Sequence, residues 1–158
     1  MKFFFARLSG SALLLFFSTA VACAQTNNQP AATTLAPPTQ TVQQVAIALL
    51  KCQGNSKAQT VTVTFLLTNA GPNRDLQFEQ VKAVDDQGNE YRAFDIHIGA
   101  GGIRNKLTTG VPLKAVAVIP KVLATTKVFK LVTSPVYNSE QPGRTIDVEF
   151  RDVAISWK

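Results

Sequence analysis

The chain has 158 residues, 46% of them hydrophobic and 8% aromatic, and carries a formal charge of +6 at pH 7. That length suits one domain with a proper core and hardly two, and a charge this mild does not mark a dedicated polyanion binder. Two cysteines and one histidine are too few for a zinc site, and they leave a Cys or Ser nucleophile dependent on His97 alone as its base.

Residues 1–24 have the three parts of an export signal. Lys2 and Arg7 form a positive start, an apolar run extends from Leu8 to Val21, and small residues follow. The run is too short and too poorly flanked for a spanning helix. Two processing routes compete at its end. Ala22 and Ala24 form an A-x-A site that releases the chain at Gln25, whereas Ala20, Val21 and Ala22 ahead of Cys23 resemble a degenerate bacterial lipobox that would acylate that cysteine. The usual leucine three residues before the cysteine is Ala20 here, which favours simple cleavage after Ala24. Either route places the folded part outside the cytoplasm, secreted or periplasmic in the first case and anchored to the outer membrane through Cys23 in the second. Cleavage at Gln25 leaves Cys52 as the only thiol, which excludes an intramolecular disulfide and points to a buried cysteine.

From Gln25 to Thr41 the composition is Gln, Thr, Asn, Ala and Pro without a charge, and such a segment buries too little to offset its ordering entropy. It reads as a disordered tether. The pattern then turns to period two. In QTVTVTFLLTN (59–69), Val61, Val63, Phe65 and Leu67 alternate with Thr60, Thr62, Thr64 and Leu66, which is a half-buried strand. Less regular runs are VQQVAIALLKC (42–52), LQFEQVKAV (76–84), EYRAFDIHI (90–98), VPLKAVAVI (111–119), KVFKLVT (127–133) and TIDVEFRDVAISW (145–157). The first also satisfies helical spacing through Val42, Val45, Ala46 and Leu49, and its Val and Ile content favours a strand.

Two runs change parity midway. Ile146, Val148 and Phe150 share one face and Val153, Ile155 and Trp157 the next, so one extra residue is required near Arg151 and Asp152; the same holds near Glu79 and Gln80. Turn signals separate the runs: NAGPN (69–73), DDQGN (85–89), GAGG (99–102), TTG (108–110) and QPG (141–143). About seven short strands without a long helix predict an immunoglobulin-like antiparallel β-sandwich over residues 42–158.

VTVTFLLTNAG, followed by an apolar strand, then Asp85-x-x-Gly88-x-x-Tyr91, then LTTG ending at Gly110, resembles the telokin-like immunoglobulin-fold domains of bacterial lipoproteins and secreted proteins. The resemblance covers most of residues 45–157 and implies a fold and an extracytoplasmic setting. A related group of proteinase inhibitors shares the fold and the turn motifs, but Tyr91, Arg92, Ala93 and Phe94 stand where that group carries a tryptophan-bearing segment. The residues have a local reading as well. Asn69 can bond the backbone amides that follow it, Asp85 can form an Asx turn, and Gly88 can take a positive φ before the chain reverses into EYRAF.

No constellation outruns these structural readings. Asp85, Asp86, Asn89 and Glu90 offer oxygens to calcium, but not at the spacing of a calcium loop. GAGG before IRNK fails Walker A spacing at Lys106 and the dinucleotide pattern at Arg104, so it reads as a flexible connection. His97 lies between Ile96 and Ile98 in mid-strand, a poor place for a triad base, and a copper carrier would want methionines that the chain lacks after Met1. Between Asp95 and Glu140 stand Arg104, Lys106, Lys114, Lys121, Lys127 and Lys130 with no acid, yet from Arg104 to Lys130 Phe129 is the only aromatic, which argues against nucleic acid. The expectation is a non-enzymatic binding or structural module of the cell envelope, with no cofactor, metal or catalytic residue. Its partner is an envelope protein or glycan, and it meets a membrane only if Cys23 is lipidated. The alternative is a carbohydrate-binding or proteinase-inhibitor module working through exposed loops; a sugar binder should show two or three coplanar exposed aromatics, and Tyr91, Tyr137 and Trp157 are the only Tyr and Trp of the chain.

Overall fold

A computed structural model describes residues 36–138 and 145–158. The export segment with Cys23, Ala24 and Gln25, the tether up to residue 35 and the QPG turn lie outside the described residues. Within them are twelve strands and no helix: β1 (Thr39–Val42), β2 (Val45–Asn55), β3 (Thr60–Asn69), β4 (Arg74–Phe78), β5 (Val81–Asp85), β6 (Glu90–Ala93), β7 (Asp95–Ile98), β8 (Arg104–Leu107), β9 (Leu113–Ile119), β10 (Val128–Asn138), β11 (Thr145–Ala154) and β12 (Ser156–Trp157). Two sheets pack as a sandwich. The first runs β1-β2-β3-β9-β7 with β12 on β2; the second runs β6-β5-β10-β4-β8 with β11 on β10. The pairings are antiparallel except that of β12, which lies parallel to β2.

Period two decides which side chains meet. Val45, Ile47 and Leu49 of β2, Val61, Val63, Phe65 and Leu67 of β3, and Ala115, Ala117 and Ile119 of β9 face Leu76, Phe78, Val81, Ala83, Phe129, Val132, Val136, Val148 and Phe150 of the second sheet, all of them buried. Phe65 bridges the two sheets at 5.8 Å from both Phe78 and Phe150.

Seven apolar runs give twelve strands because four of them break and one strand forms outside them. VQQVAIALLKC breaks first. Val42 pairs with Val45, and Gln43 and Gln44 between them stand at φ 48° and 68°, the signature of a two-residue hairpin with both central residues left-handed. Residues 39–41, which composition assigns to a tether, are strand. Thr39–Val42 orders as an edge strand because its backbone pairs with Val45–Ala48, Val42 is buried, and the Gln40 side chain donates to the Glu149 carbonyl of β11. Glutamine is a poor residue for a left-handed site. Gln44→Gly should raise stability by about 0.5–1 kcal/mol, read from urea unfolding midpoints, and a lower midpoint would show that the Gln44 side chain matters more than its backbone.

EYRAFDIHI breaks at Phe94, where the chain leaves the second sheet as β6 and joins the first as β7. Both expected parity changes are present. β4 and β5 lie end to end along β10, with Phe78 opposite Val136 and Lys82 opposite Thr133, so four steps on one strand match three on the other across Glu79 and Gln80. This bulge explains how β10 continues through Pro135, beyond the expected end at residue 133. The Pro135 carbonyl accepts from Glu79 N at 3.2 Å, so its ring nitrogen faces the same interruption, where no ladder bond is lost. Ser134 Oγ donates to the Gln80 carbonyl at 2.7 Å and satisfies it.

At the second parity change Arg151 and Asp152 are both exposed between buried Phe150 and Val153, with Asp152 at φ 51°. β10 changes parity beside it, between Phe129 and Val132, so β10 and β11 stay in register. The two displaced residues, Lys130 and Asp152, face each other with Nζ and Oδ1 2.7 Å apart. β8 is the strand that no apolar run announced. Only Leu107 of Arg104–Leu107 is buried, and the strand forms by pairing with β4. IRNK is therefore largely strand rather than flexible connection.

Candidate functional site

The motifs of the sequence gather into two clusters. The first is the turn after β5. Asp85 is buried, and its Oδ1 accepts from the backbone N–H of Gln87 at 3.0 Å and of Asn89 at 2.8 Å. Its Oδ2 accepts from Asn89 Nδ2 at 2.9 Å and from the Tyr91 hydroxyl at 3.0 Å. Gly88 takes φ 83° between them, in space that no neighbour fills. Burial works against the charge on Asp85, but the bonds from Asn89, Tyr91 and Gln87 outweigh it and hold the carboxyl below its ordinary value. Both oxygens thus meet donors where calcium would need free lone pairs, and Glu90 turns instead to Arg92 at 2.7 Å. The half-buried Tyr91 ring sits 5.8 Å from Phe129.

The second cluster joins NAGPNR to LTTG. Asn69, fully buried, accepts from Gly71 N at 3.0 Å and donates through Nδ2 to the Pro72 carbonyl at 2.7 Å. Thr109 Oγ1 donates to the Gly71 carbonyl at 2.6 Å, and Gly110 N donates to the Asn69 carbonyl at 2.8 Å. Arg74, buried beneath, donates to the carbonyls of Pro72 and of Gln43 in the first hairpin. A Cβ on Gly71 would collide with the Arg74 guanidinium and the Gln44 amide, so any larger residue there has to displace the buried Arg74 from its place under the turn. Each polar group of this cluster serves backbone. Nothing in the sequence marked Arg74 as buried, because its role depends on a hairpin turn thirty residues upstream.

The remaining candidates lie apart. Cys52 is buried, and burial pushes its thiol up to about 12, which removes it as a nucleophile or metal ligand at neutral pH. His97 on edge strand β7 is exposed, with Nε2 2.9 Å from Asp95 Oδ1 and Nδ1 3.2 Å from the Gly101 carbonyl. No Ser or Cys accompanies it in those contacts. Among the described residues no group of three or more His, Cys, Asp or Glu side chains could hold a metal ion, and no helix is long and apolar enough to cross a membrane.

The cations scatter. Arg104 pairs with Asp75 at 2.6 Å and Lys130 with Asp152 on the second sheet, Lys106 lies on β8, Lys114 lies on β9 of the other sheet, and Lys121 and Lys127 sit in the connection between β9 and β10. That distribution gives no concentrated field for a polyanion. The Tyr and Trp side chains lie apart, with Tyr137 half-buried on β10. Trp157 packs on the core with its indole N–H donating to the Thr126 carbonyl at 2.6 Å, Tyr91 is tied to Asp85, and Phe94, 68% exposed, is the one aromatic in the open among the described residues. Two shallow grooves mark the surface. One of about 520 Å³ lies between Glu90, Tyr91, Arg92 and the Pro120–Lys121 turn; one of about 290 Å³ lies between Pro38, Thr39, Gln40 and Glu149, Phe150, Arg151.

The outer faces of the two sheets differ in kind. The second carries Asp75, Lys82, Glu90, Arg92, Arg104, Asp147, Glu149 and Arg151, with opposite charges interspersed. On the first, the outward rows are Thr39, Ala48 and Leu66, the buried Thr64 with Val116, Thr62 with Val118, and Thr41, Ala46 and Thr68, with charge confined to Lys51, Lys114, Asp95 and His97 toward its margins. A scan against protein-family models finds no match, and neither does a search of the curated proteins.

Proposed function

We propose that the chain is a non-enzymatic binding or structural module of the bacterial cell envelope, built on a telokin-like immunoglobulin fold. The observation that carries this reading is the use of its polar motif residues. Asp85, Asn69, Thr109 and Arg74 bond the backbone of two turn clusters and so hold loops in place rather than present a reacting group. The charge-poor outer face of the first sheet leaves a surface suited to contact with another macromolecule. Export rests on residues 1–24, with release after Ala24.

The test is fractionation with an intact mass. The expected result is a chain beginning at Gln25, recovered from the periplasm or medium, that retains a stoichiometric envelope protein or glycan from envelope extract at ~0.15 M salt. Acyl chains on Cys23 would replace release with lipid anchoring, and recovery from the cytoplasm would overturn the envelope setting.

A further inference from the structure

From the outer face of the first sheet we infer that the protein associates with a second copy of itself, the two faces packing against each other about a two-fold axis along the strands.

Three features of the face support this. It is uncharged at its centre. Cross-strand partners share a face, so the row Lys51, Thr64, Val116, His97 and the row Gln53, Thr62, Val118, Asp95 both project outward, followed by Thr39, Ala48, Leu66 and Lys114. A solvated sheet face is polar throughout, whereas here Ala48, Leu66, Val116 and Val118 stand among the threonines. The β2 bulge adds to the apolar content. The register shifts between Leu49 and Lys51, which leaves Leu50 and Lys51 both exposed between buried Leu49 and Cys52, with Leu50 at 40%.

The charges at the margins complement each other under that symmetry. In the order β2-β3-β9-β7, an axis between β3 and β9 lays β3 of one copy over β9 of the other and β2 over β7. Lys51 on β2 then meets Asp95 and His97 on β7 of the second copy, and the symmetry makes the contact twice. Lys114 lies on β9 beside the axis, opposite Leu66 of the second copy, so its four-carbon stem packs there and its ammonium has to run along the row, past the end of its own β7 at Ile98, to reach water.

The size also fits. The four strands that overlap, about 4.8 Å apart, and some six residues at about 3.4 Å give a face roughly 20 Å square, so two copies bury roughly 800–1,000 Å² in all. That is the lower limit for a specific interface, and it predicts a reversible dimer with a dissociation constant of about 1–100 μM. The inference stands whether or not the module is exported.

Sedimentation equilibrium of the protein purified from its producing cells, from about 5 to 200 μM in about 0.15 M salt, tests it. The expected result is a monomer–dimer equilibrium. Val116→Arg should abolish it without changing the melting temperature by more than a few degrees. Lys51→Glu and Asp95→Lys should each weaken it about tenfold, and the double variant should recover most of the loss. Should Val116→Arg fail to fold, the two surface charge variants decide alone. A monomer at the highest concentration would overturn the inference, including one that instead holds another protein or a glycan on this face. So would a dimer indifferent to the Lys51 and Asp95 exchanges.

Discussion

Asp85→Ala should cost about 2–3 kcal/mol of folding stability, the loss of four hydrogen bonds to an ionised acceptor partly made good by water at the turn. The side chain accepts from Gln87 N, Asn89 N, Asn89 Nδ2 and Tyr91 Oη at 2.8 to 3.0 Å, so one truncation releases every fixed point of the hairpin between β5 and β6. Asp85→Asn should fall between the two, because one oxygen survives while an NH₂ replaces the acceptor that the hairpin needs on the other side. The pH dependence follows in sign. The folded carboxyl lies below its ordinary value of 3.8, so it contributes stability that is complete above about pH 5 and is lost as pH falls through the folded pKa. Urea midpoints of the native protein and Asp85→Ala should therefore converge on acidification from pH 5 downward. A gap that stays constant over that range would show that the packing of the side chain, not its charge, holds the turn.

The clarity of β3 in the sequence and the obscurity of β8 have one cause. Periodicity reports burial, and β3 is buried along one whole face, whereas β8 buries only Leu107 and exists because β4 offers it a backbone ladder. The bulges at Glu79–Gln80 and Arg151–Asp152 were legible for the same reason, since an extra residue leaves a visible slip in the alternation. Sheet membership was not legible. Ala93 and Ile96 are both buried, but in opposite sheets, and the crossing at Phe94 leaves no trace in apolar spacing. The hairpin at Gln43–Gln44 was hidden because glutamine gives none of the Asn-Gly signal such a turn usually carries.

The candidate surface was half visible. The alternating threonines of QTVTVTFLLTN marked an outward row, but a single strand cannot tell whether its neighbours continue the row with charge or without it. That needed the register placing Thr62 and Thr64 beside Val118 and Val116. The same limit applied to the motif residues. Asn69 and Asp85 bond backbone within a few residues of themselves and so are legible locally, whereas the convergence of Gly71, Arg74 and Thr109 depends on contacts across more than thirty residues.

Gly54→Val should cost about 3 kcal/mol, although by local preference it ought to help. Gly54 lies inside β2, a position where valine is favoured over glycine by up to about 1 kcal/mol. The space beside it is occupied. A Cβ there would collide with three carbons of the six-membered ring of Trp157, which lies on β12 as the parallel neighbour of β2. That close approach lets the last residues dock, since Lys158 N donates to the Gly54 carbonyl at 3.0 Å and the Lys158 carbonyl accepts from Ser56 N at 3.2 Å. Valine would expel the indole, break its bond to the Thr126 carbonyl and free β12, exposing Ile155. Trp157 is the only tryptophan of the chain, so its fluorescence reports this site alone, and Gly54→Val should shift the emission to the red in the folded state. The pair should also be non-additive. Once Trp157→Ala has removed the ring, Gly54→Val should become neutral or stabilising, because the clash is gone and only the strand preference remains. A stabilising Gly54→Val in the native background, with unchanged emission, would mean that the indole does not rest on this glycine and that β12 is held by its backbone pairing and Ile155 without it.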